Sequence, residues 1–551
     1  ANVNLLLFLS FEFLQSFSIF HDYKNIFPFF TALLTKLPIH VMMRLINKML
    51  FCINFFSNHT CFKKISTRMG GFFMSYIPRL NYVSNEEIAK LHQYGVDILK
   101  KLGMRVEDPA VRDMLCEHGC TQKDDRVYFS DSLIEEMLKA QKGKVTMTSP
   151  VTGMKKEMEI GKTFVHSTGG APWIADMKTG KRRNGLLSDL VDTVRVMNQL
   201  PELDLPCALI YPSEVPSEIT QLQQTATMLQ YSHKPIYGPG ISIASNAKYI
   251  AELFKIYGGE DQTHNPMGMV GISPESPLFL PKEITDTMGY IIRAGIPTSI
   301  LSAPMGGLTS PLSVAGTVAQ SHAEILAFAC VAYLMNPECV LFYGSRTFFA
   351  NMKNSQSILG LPETGISSAL AVQLANYCGF LSDVYGLSCT SCAMDEQAGY
   401  EKMINALLPG LAGATLITGF GSTASVMCCS LSQLVLDNEM MAMIRKSQKP
   451  FTINEEELGI EALGYVVNDN ETFLEQEHTI DHLYSGEIFQ PSIGFDSVWA
   501  DWIKMGETPL TERAADRAME LIKNDEIPEV KPEITAEVNK LMEAAKKDLL
   551  K

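Results

Sequence analysis

The chain has 551 residues, of which 46% are hydrophobic and 19% charged, proportions of a globular enzyme-sized protein with one large domain or two. Its formal net charge of -15 argues against a nucleic-acid partner. Twelve irregularly spaced cysteines, including the adjacent Cys428 and Cys429, suit reduced thiols in a cytoplasm rather than a disulfide framework.

Residues 1–73 differ from the rest. They are rich in Phe, Leu, Ile, Asn and Lys, and carry seven Lys/Arg against two Asp/Glu, leaving 39 basic and 59 acidic residues from 74 onward. Their apolar stretches are interrupted by Glu12, Asp22, Lys24, Lys36, Arg44 and Lys48, so none spans a bilayer cleanly. The composition resembles translated AT-rich DNA. Gly70-Gly71-Phe72-Phe73 before Met74 can be encoded by a purine-rich ribosome-binding site followed by ATG. The expectation is a native start at Met74, with 1–73 a non-native extension.

From 74 to 160 the sequence predicts a helical cap with short strands. Ser84 and Glu87 form a capping box opening a helix that runs to Gly103, and further helices are expected at 109–118 and 132–140. From 161 to 450 short β-branched runs alternate with longer amphipathic ones. Strands are predicted at 163–167, 205–211, 235–237, 267–272, 298–301, 340–343, 382–387 and 415–418, each followed by a helix. Eight such repeats imply an α/β fold, a (β/α)8 TIM barrel. An open doubly wound sheet is the alternative, weakened because no G-x-G-x-x-G follows an early strand. Residues 451–551 read as a charged, helical C-terminal extension.

Such barrels hold reactive groups at the carboxyl ends of their strands. Those ends carry His166, Gly169, Gly170 and Trp173; Tyr211; Tyr237; Gly306 and Gly307; Tyr343, Arg346, Phe348 and Phe349; and Gly421. Glycines there let a flat group approach closely. The densest polar loop runs from 388 to 401, S-C-T-S-C-A-M-D-E-Q-A-G-Y-E, with Cys392, Asp395 and Gln397 as candidate catalytic residues. Its plainer reading is a helix start with Asp395 as N-cap. No metal site is expected: Cys389-x-x-Cys392 lacks a second pair, and His478 and His482 lack the H-E-x-x-H order.

Four motifs carry a resemblance: D-E-Q-A-G-Y-E-K at 395–402, L-V-L-D-N-E-M at 434–440, E-H-T-I-D-H at 477–482 and P-E-T at 362–364. They resemble the trimethylamine methyltransferase family, from Ser75 to about Leu521. The resemblance implies a barrel that moves a methyl group from a methylated amine to the cobalt of a separate corrinoid protein. Founding members have pyrrolysine three residues before the aspartate; here that position is Cys392. The resemblance is thus to the non-pyrrolysine branch, with glycine betaine, proline betaine, carnitine or γ-butyrobetaine as substrate types.

That implies a quaternary amine:corrinoid methyltransferase of the cytoplasm, with no tightly bound cofactor, no membrane association and a homo-oligomeric state. A quaternary ammonium has no proton to manage, so the site must hold a cation and align one methyl group. Trp173, Tyr211, Tyr237, Tyr343, Phe348 and Phe349 are candidate cage aromatics. Arg346 is the candidate carboxylate partner, with His166 and the Gly169 and Gly170 amides as alternatives. Gly169, Gly170, Gly306, Gly307 and Gly421 would face the corrinoid. Two competing readings are a zinc-dependent barrel methyltransferase and a non-catalytic betaine-binding barrel.

Overall fold

The computed structural model describes residues 79–177, 179–469 and 471–551. The expectations placed on 1–73 and on a start at Met74 lie outside these residues.

Seven parallel strands form one sheet: β1 (Phe164–Ser167), β2 (Ile236–Gly240), β3 (Gly268–Ile272), β4 (Thr298–Ser302), β5 (Leu341–Ser345), β6 (Leu381–Tyr385) and β7 (Leu416–Phe420). They run in the order β1-β7-β6-β5-β4-β3-β2. The gap between β1 and β2 is bridged by the 205–210 stretch, through the parallel pairs His166–Leu205 and Cys207–Tyr237. The sheet therefore closes on eight staves, the number expected from the sequence.

A helix follows each stave: α1 (Leu187–Gln199), α2 (Thr220–Tyr231), α3 (Ala244–Gly258), α4 (Lys282–Ile291), α5 (Val314–Met335), α6 (Pro362–Tyr377), α7 (Glu396–Leu411) and α8 (Leu431–Ser447). α5 is long and apolar enough to cross a membrane, but 83% of its apolar window is buried inside the protein. It is a core helix of the outer ring.

The two-residue period of each strand divides the core. Val165, Val270, Ile300, Tyr343, Val384 and Ile417 pack outward against the helices. Leu205, Cys207, Tyr237, Met269, Phe342, Leu381 and Leu416 point into the barrel. An antiparallel hairpin of Lys144–Thr148 and Lys155–Glu159 inserts Val145, Met147 and Met158 among those inward residues. The two short strands of this hairpin, ahead of the barrel in the chain, plug its amino-terminal end.

Two small sheets border the other end. One joins Trp173–Ala175, Arg182–Asn184, Ser422–Thr423 and Cys428–Cys429; the other joins Met305–Gly306, Phe348–Ala350 and Ser357–Ile358. They extend the loops after the barrel strands into a rim around the mouth.

Candidate active site

Inside the barrel, one layer above the apolar plug, sits Asp383, the third residue of β6. It is fully buried, and its partners come from four other staves. Ser299 Oγ donates to its Oδ2 at 2.7 Å, Tyr237 Oη at 3.0 Å and Arg346 Nη2 at 2.7 Å. His166 Nε2 lies 3.0 Å from its Oδ1, and Arg346 Nη1 donates to its backbone carbonyl at 2.7 Å. Burial alone would raise this carboxyl's pKa, but Arg346 and His166 beside it outweigh burial and hold it well below the usual range. Burial, and then the charge of Asp383, push the Tyr237 phenol up.

The arrangement fixes three side chains. The His166 ring stacks on Tyr237 with centroids 4.1 Å apart and planes 11° from parallel, and its Nδ1 lies 2.9 Å from the Ser167 carbonyl. The Arg346 guanidinium also lies 5.4 Å from the ring centre of Tyr385, two residues beyond Asp383 and half-buried toward the mouth. Its bonds to Ser345 and Asp383 use Nη1 and one side of Nη2. A guanidinium has five donors, so Nε and a second Nη2 proton remain for a ligand.

The loop after β6 is held from below by the helix it enters. Glu401, buried on α7, accepts from the backbone N–H of Thr390 at 2.7 Å and of Ser391 at 3.3 Å, and from Gln397 Nε2 at 2.8 Å. Thr390 Oγ1 in turn accepts from the Gly360 amide at 2.8 Å. A Cβ at Gly360 would stand 2.2 Å from the Glu401 carboxylate, so only glycine allows that approach. Next along, Lys402 is wholly buried and donates to the carbonyls of Leu387 (2.7 Å) and Gly419 (3.2 Å) and to Asp437 (3.0 Å).

Of the expected catalytic residues, Asp395 caps α7: its Oδ1 accepts from the Ala398 amide at 3.0 Å and from Ser391 Oγ at 2.9 Å. The Ala398 amide and then Ser391 draw its carboxyl below the usual range. Cys392 is exposed on the rim, whereas Cys389 is buried and bonded to backbone carbonyls. Gln397 is exposed and braces Glu401.

The expected aromatics divide. Tyr237 is inside the barrel; Tyr211 and Phe348 are half-buried near the mouth. Trp173 is half-buried in a rim sheet and lies under the Arg182 guanidinium, 4.1 Å from its centre. Phe349 is buried against Gly306, where a Cβ would meet its ring at 2.5 Å. Tyr343 is placed differently from the expectation. Strand alternation turns it outward, where its ring packs on Phe380 and its Oη reaches His322, so it cannot form part of a cage inside the barrel.

Of the glycines, Gly169 and Gly170 are exposed at the rim, with open space where a side chain would stand at Gly170. Gly307 is half-buried; Gly306 and Gly421 are buried under Phe349 and Leu434.

Sequence reading missed Asp383. The available signal was an aspartate inside the apolar run 379–387, a place where carboxylates stay only when paired. Glu324 was missed as well. It is buried on α5 and accepts from Ser276, Ser302, Gln320 and the Leu278 amide, while burial pushes its carboxyl up.

A cavity of about 620 Å³ opens beside the plugging hairpin, at the far end from this site. Charges lining it pair with one another, Lys142 with Glu338 at 2.6 Å and Lys162 with Glu159 at 3.0 Å. They do not converge on a ligand position.

A closed parallel barrel, plugged at one end and polar at the carboxyl ends of its strands, defines an enzyme class with chemistry at the open mouth. Comparison with known proteins identifies which. The family model for trimethylamine methyltransferase (MTTB) matches residues 62–549, and the chain belongs to that family. Trimethylamine methyltransferase MttB of Methanosarcina thermophila is 28% identical over 477 residues, covering 84% of this chain and 96% of that protein. MttB of Desulfitobacterium hafniense is 26% identical over 467 residues, covering 84% and 93%. The glycine betaine methyltransferase of Desulfitobacterium hafniense is 25% identical over 469 residues, covering 84% and 96%. The two Desulfitobacterium relatives accord with the branch that Cys392 implies. Members of the family transfer methyl groups to corrinoid proteins.

Proposed function

We propose that the chain takes a methyl group from a quaternary amine of the betaine type and passes it to the Co(I) corrinoid of a separate protein, in the cytoplasm. The observation that carries this reading is that Asp383 inside the barrel and the buried charges around its strand ends already have partners. Asp383 has donors on both oxygens, Glu324 accepts four hydrogen bonds, Glu401 holds the loop backbone and Lys402 pairs with Asp437. None is poised to move a proton, and a quaternary amine needs none moved.

The chain's own residues supply positioning. Arg346, immobilised by Asp383, offers its remaining donors to the substrate carboxylate. Tyr385, with Tyr211, Phe348 and Trp173 at the mouth, offers faces to the ammonium, each worth roughly 0.5–2 kcal/mol. The rim at Gly170, exposed and with open space beside its Cα, leaves room for a flat macrocycle to come close. The corrinoid of the partner supplies the nucleophilic cobalt, which gains the methyl group while nitrogen keeps the bonding pair. Cys392 leaves the loop after β6 with a small side chain where bulkier substrate groups would sit. Phe451, Leu474, Tyr484 and Trp499 of the segment after the barrel are exposed.

Titration calorimetry with glycine betaine and with choline, which keeps the ammonium but lacks the carboxylate, tests the Arg346 assignment. Betaine binding tighter by about tenfold or more, worth ~1.4 kcal/mol, is expected. Equal binding would contradict it.

A further inference from the structure

On the outside of the barrel, three residues far apart in sequence converge. His92 comes from the helix Asn85–Lys101 ahead of the barrel, His322 from α5 and Cys378 from the C-terminal end of α6. One nitrogen of each histidine and the Cys378 sulfur all lie within 4.8 Å of one another. His92 Nδ1 is 2.9 Å from His322 Nε2 and 3.5 Å from Cys378 Sγ. A tetrahedral zinc ion separates adjacent nitrogen and sulfur ligands by about 3.3–3.6 Å, given bonds of about 2.0–2.1 Å to nitrogen and 2.3 Å to sulfur. The sulfur contact already has that spacing, and the nitrogen pair needs to open by a few tenths of an ångström.

The surroundings are those of a ligand set. Tyr343 Oη lies 2.9 Å from His322 Nδ1 and so turns Nε2 toward the cluster, as the outer partner of a metal-bound histidine does. Gly95, one turn after His92, permits the approach, since a Cβ there would stand 2.5 Å from His322 Cδ2. His92 Nδ1 has a single site for a partner, yet faces both an imidazole nitrogen and a thiol. Hydrogen bonding satisfies one of the two contacts; an ion at the centre satisfies both. His322 and Cys378 are buried and His92 is half-buried, which leaves a solvent side for a water as fourth ligand.

We propose that His92, His322 and Cys378 bind a divalent transition-metal ion of the zinc class, clamping the helix Asn85–Lys101 to α5 and α6. On binding, two nitrogen–metal bonds and one sulfur–metal bond form. The thiol S–H bond breaks and its proton passes to solvent, with no change in oxidation state. The role is structural, because the cluster lies behind the sheet rather than at the barrel mouth.

The test uses the full chain, purified under reducing conditions and reconstituted with zinc or with Co(II). Mass spectrometry should find about one zinc per chain, and the cobalt form should show a thiolate-to-metal charge-transfer band. H92Q and C378S should each lose the bound zinc and the band. Y343F should retain both but bind zinc about 10–100-fold more weakly. A wild-type chain that takes up neither ion, or an H92Q variant that binds zinc as tightly as wild type, would overturn the proposal. H92Q decides the matter if C378S does not fold, because His92 is the half-buried ligand.

Discussion

Asp383 owes its low pKa to its partners, and that makes its contribution depend on pH. A carboxylate whose folded pKa is depressed stabilises the protein above the unfolded value, near about 3.9, and loses that contribution as pH falls below it. Asp383→Asn should therefore cost about 3–5 kcal/mol at neutral pH, because Arg346 is left buried without its counter-charge. Its stability should also fall less steeply than wild type below about pH 4. Urea melts at several pH values check both, and parallel curves for the two proteins would refute the pairing. Cys392 stands at the other extreme: exposed, its sulfur 4.0 Å from the Thr390 carbonyl. Cys392→Ala should keep most of the wild-type turnover. Loss of turnover with the fold intact would show that the thiol reacts.

Among the elements, α7 and the loop before it form one unit. Asp395 caps the helix, Glu401 holds the loop backbone and Lys402 reaches through to β7 and α8. Asp395→Ala should cost about 1 kcal/mol in denaturant unfolding, the usual loss for a capping carboxylate, without changing substrate affinity. Lys402→Met should cost about 3–5 kcal/mol, because Asp437 would remain buried and unpaired. Lys402→Met combined with Asp437→Leu should cost less than Lys402→Met alone. A larger cost for the pair would mean that Lys402 acts through the carbonyls of Leu387 and Gly419 rather than through the charge. The cap at Asp395 was legible in the sequence because capping is local, an acid just ahead of an amphipathic run. The roles of Glu401 and Lys402 were not, because their partners lie in the preceding loop, on β7 and on α8.

For the whole molecule, the barrel was legible because short apolar or β-branched runs alternate eight times with longer amphipathic ones, the pattern of strand and helix. Strand spacing alone placed His166, Tyr237 and Arg346 near the carboxyl ends. What periodicity could not show was the side of the sheet each aromatic takes. Tyr343 follows Phe342, and a shift of one residue exchanges interior for exterior. Nor could it show that the hairpin before the barrel is the plug of its floor, since that depends on Val145, Met147 and Met158 meeting residues from distant strands.

The central claim is the substrate and its acceptor. The direct measurement follows the absorbance of a Co(I) corrinoid protein while this chain is supplied in turn with glycine betaine, proline betaine, carnitine, γ-butyrobetaine and trimethylamine. Conversion to methyl-cobalt with at least one quaternary amine, and none with trimethylamine, is the predicted result. Conversion with trimethylamine and with no quaternary amine would contradict it.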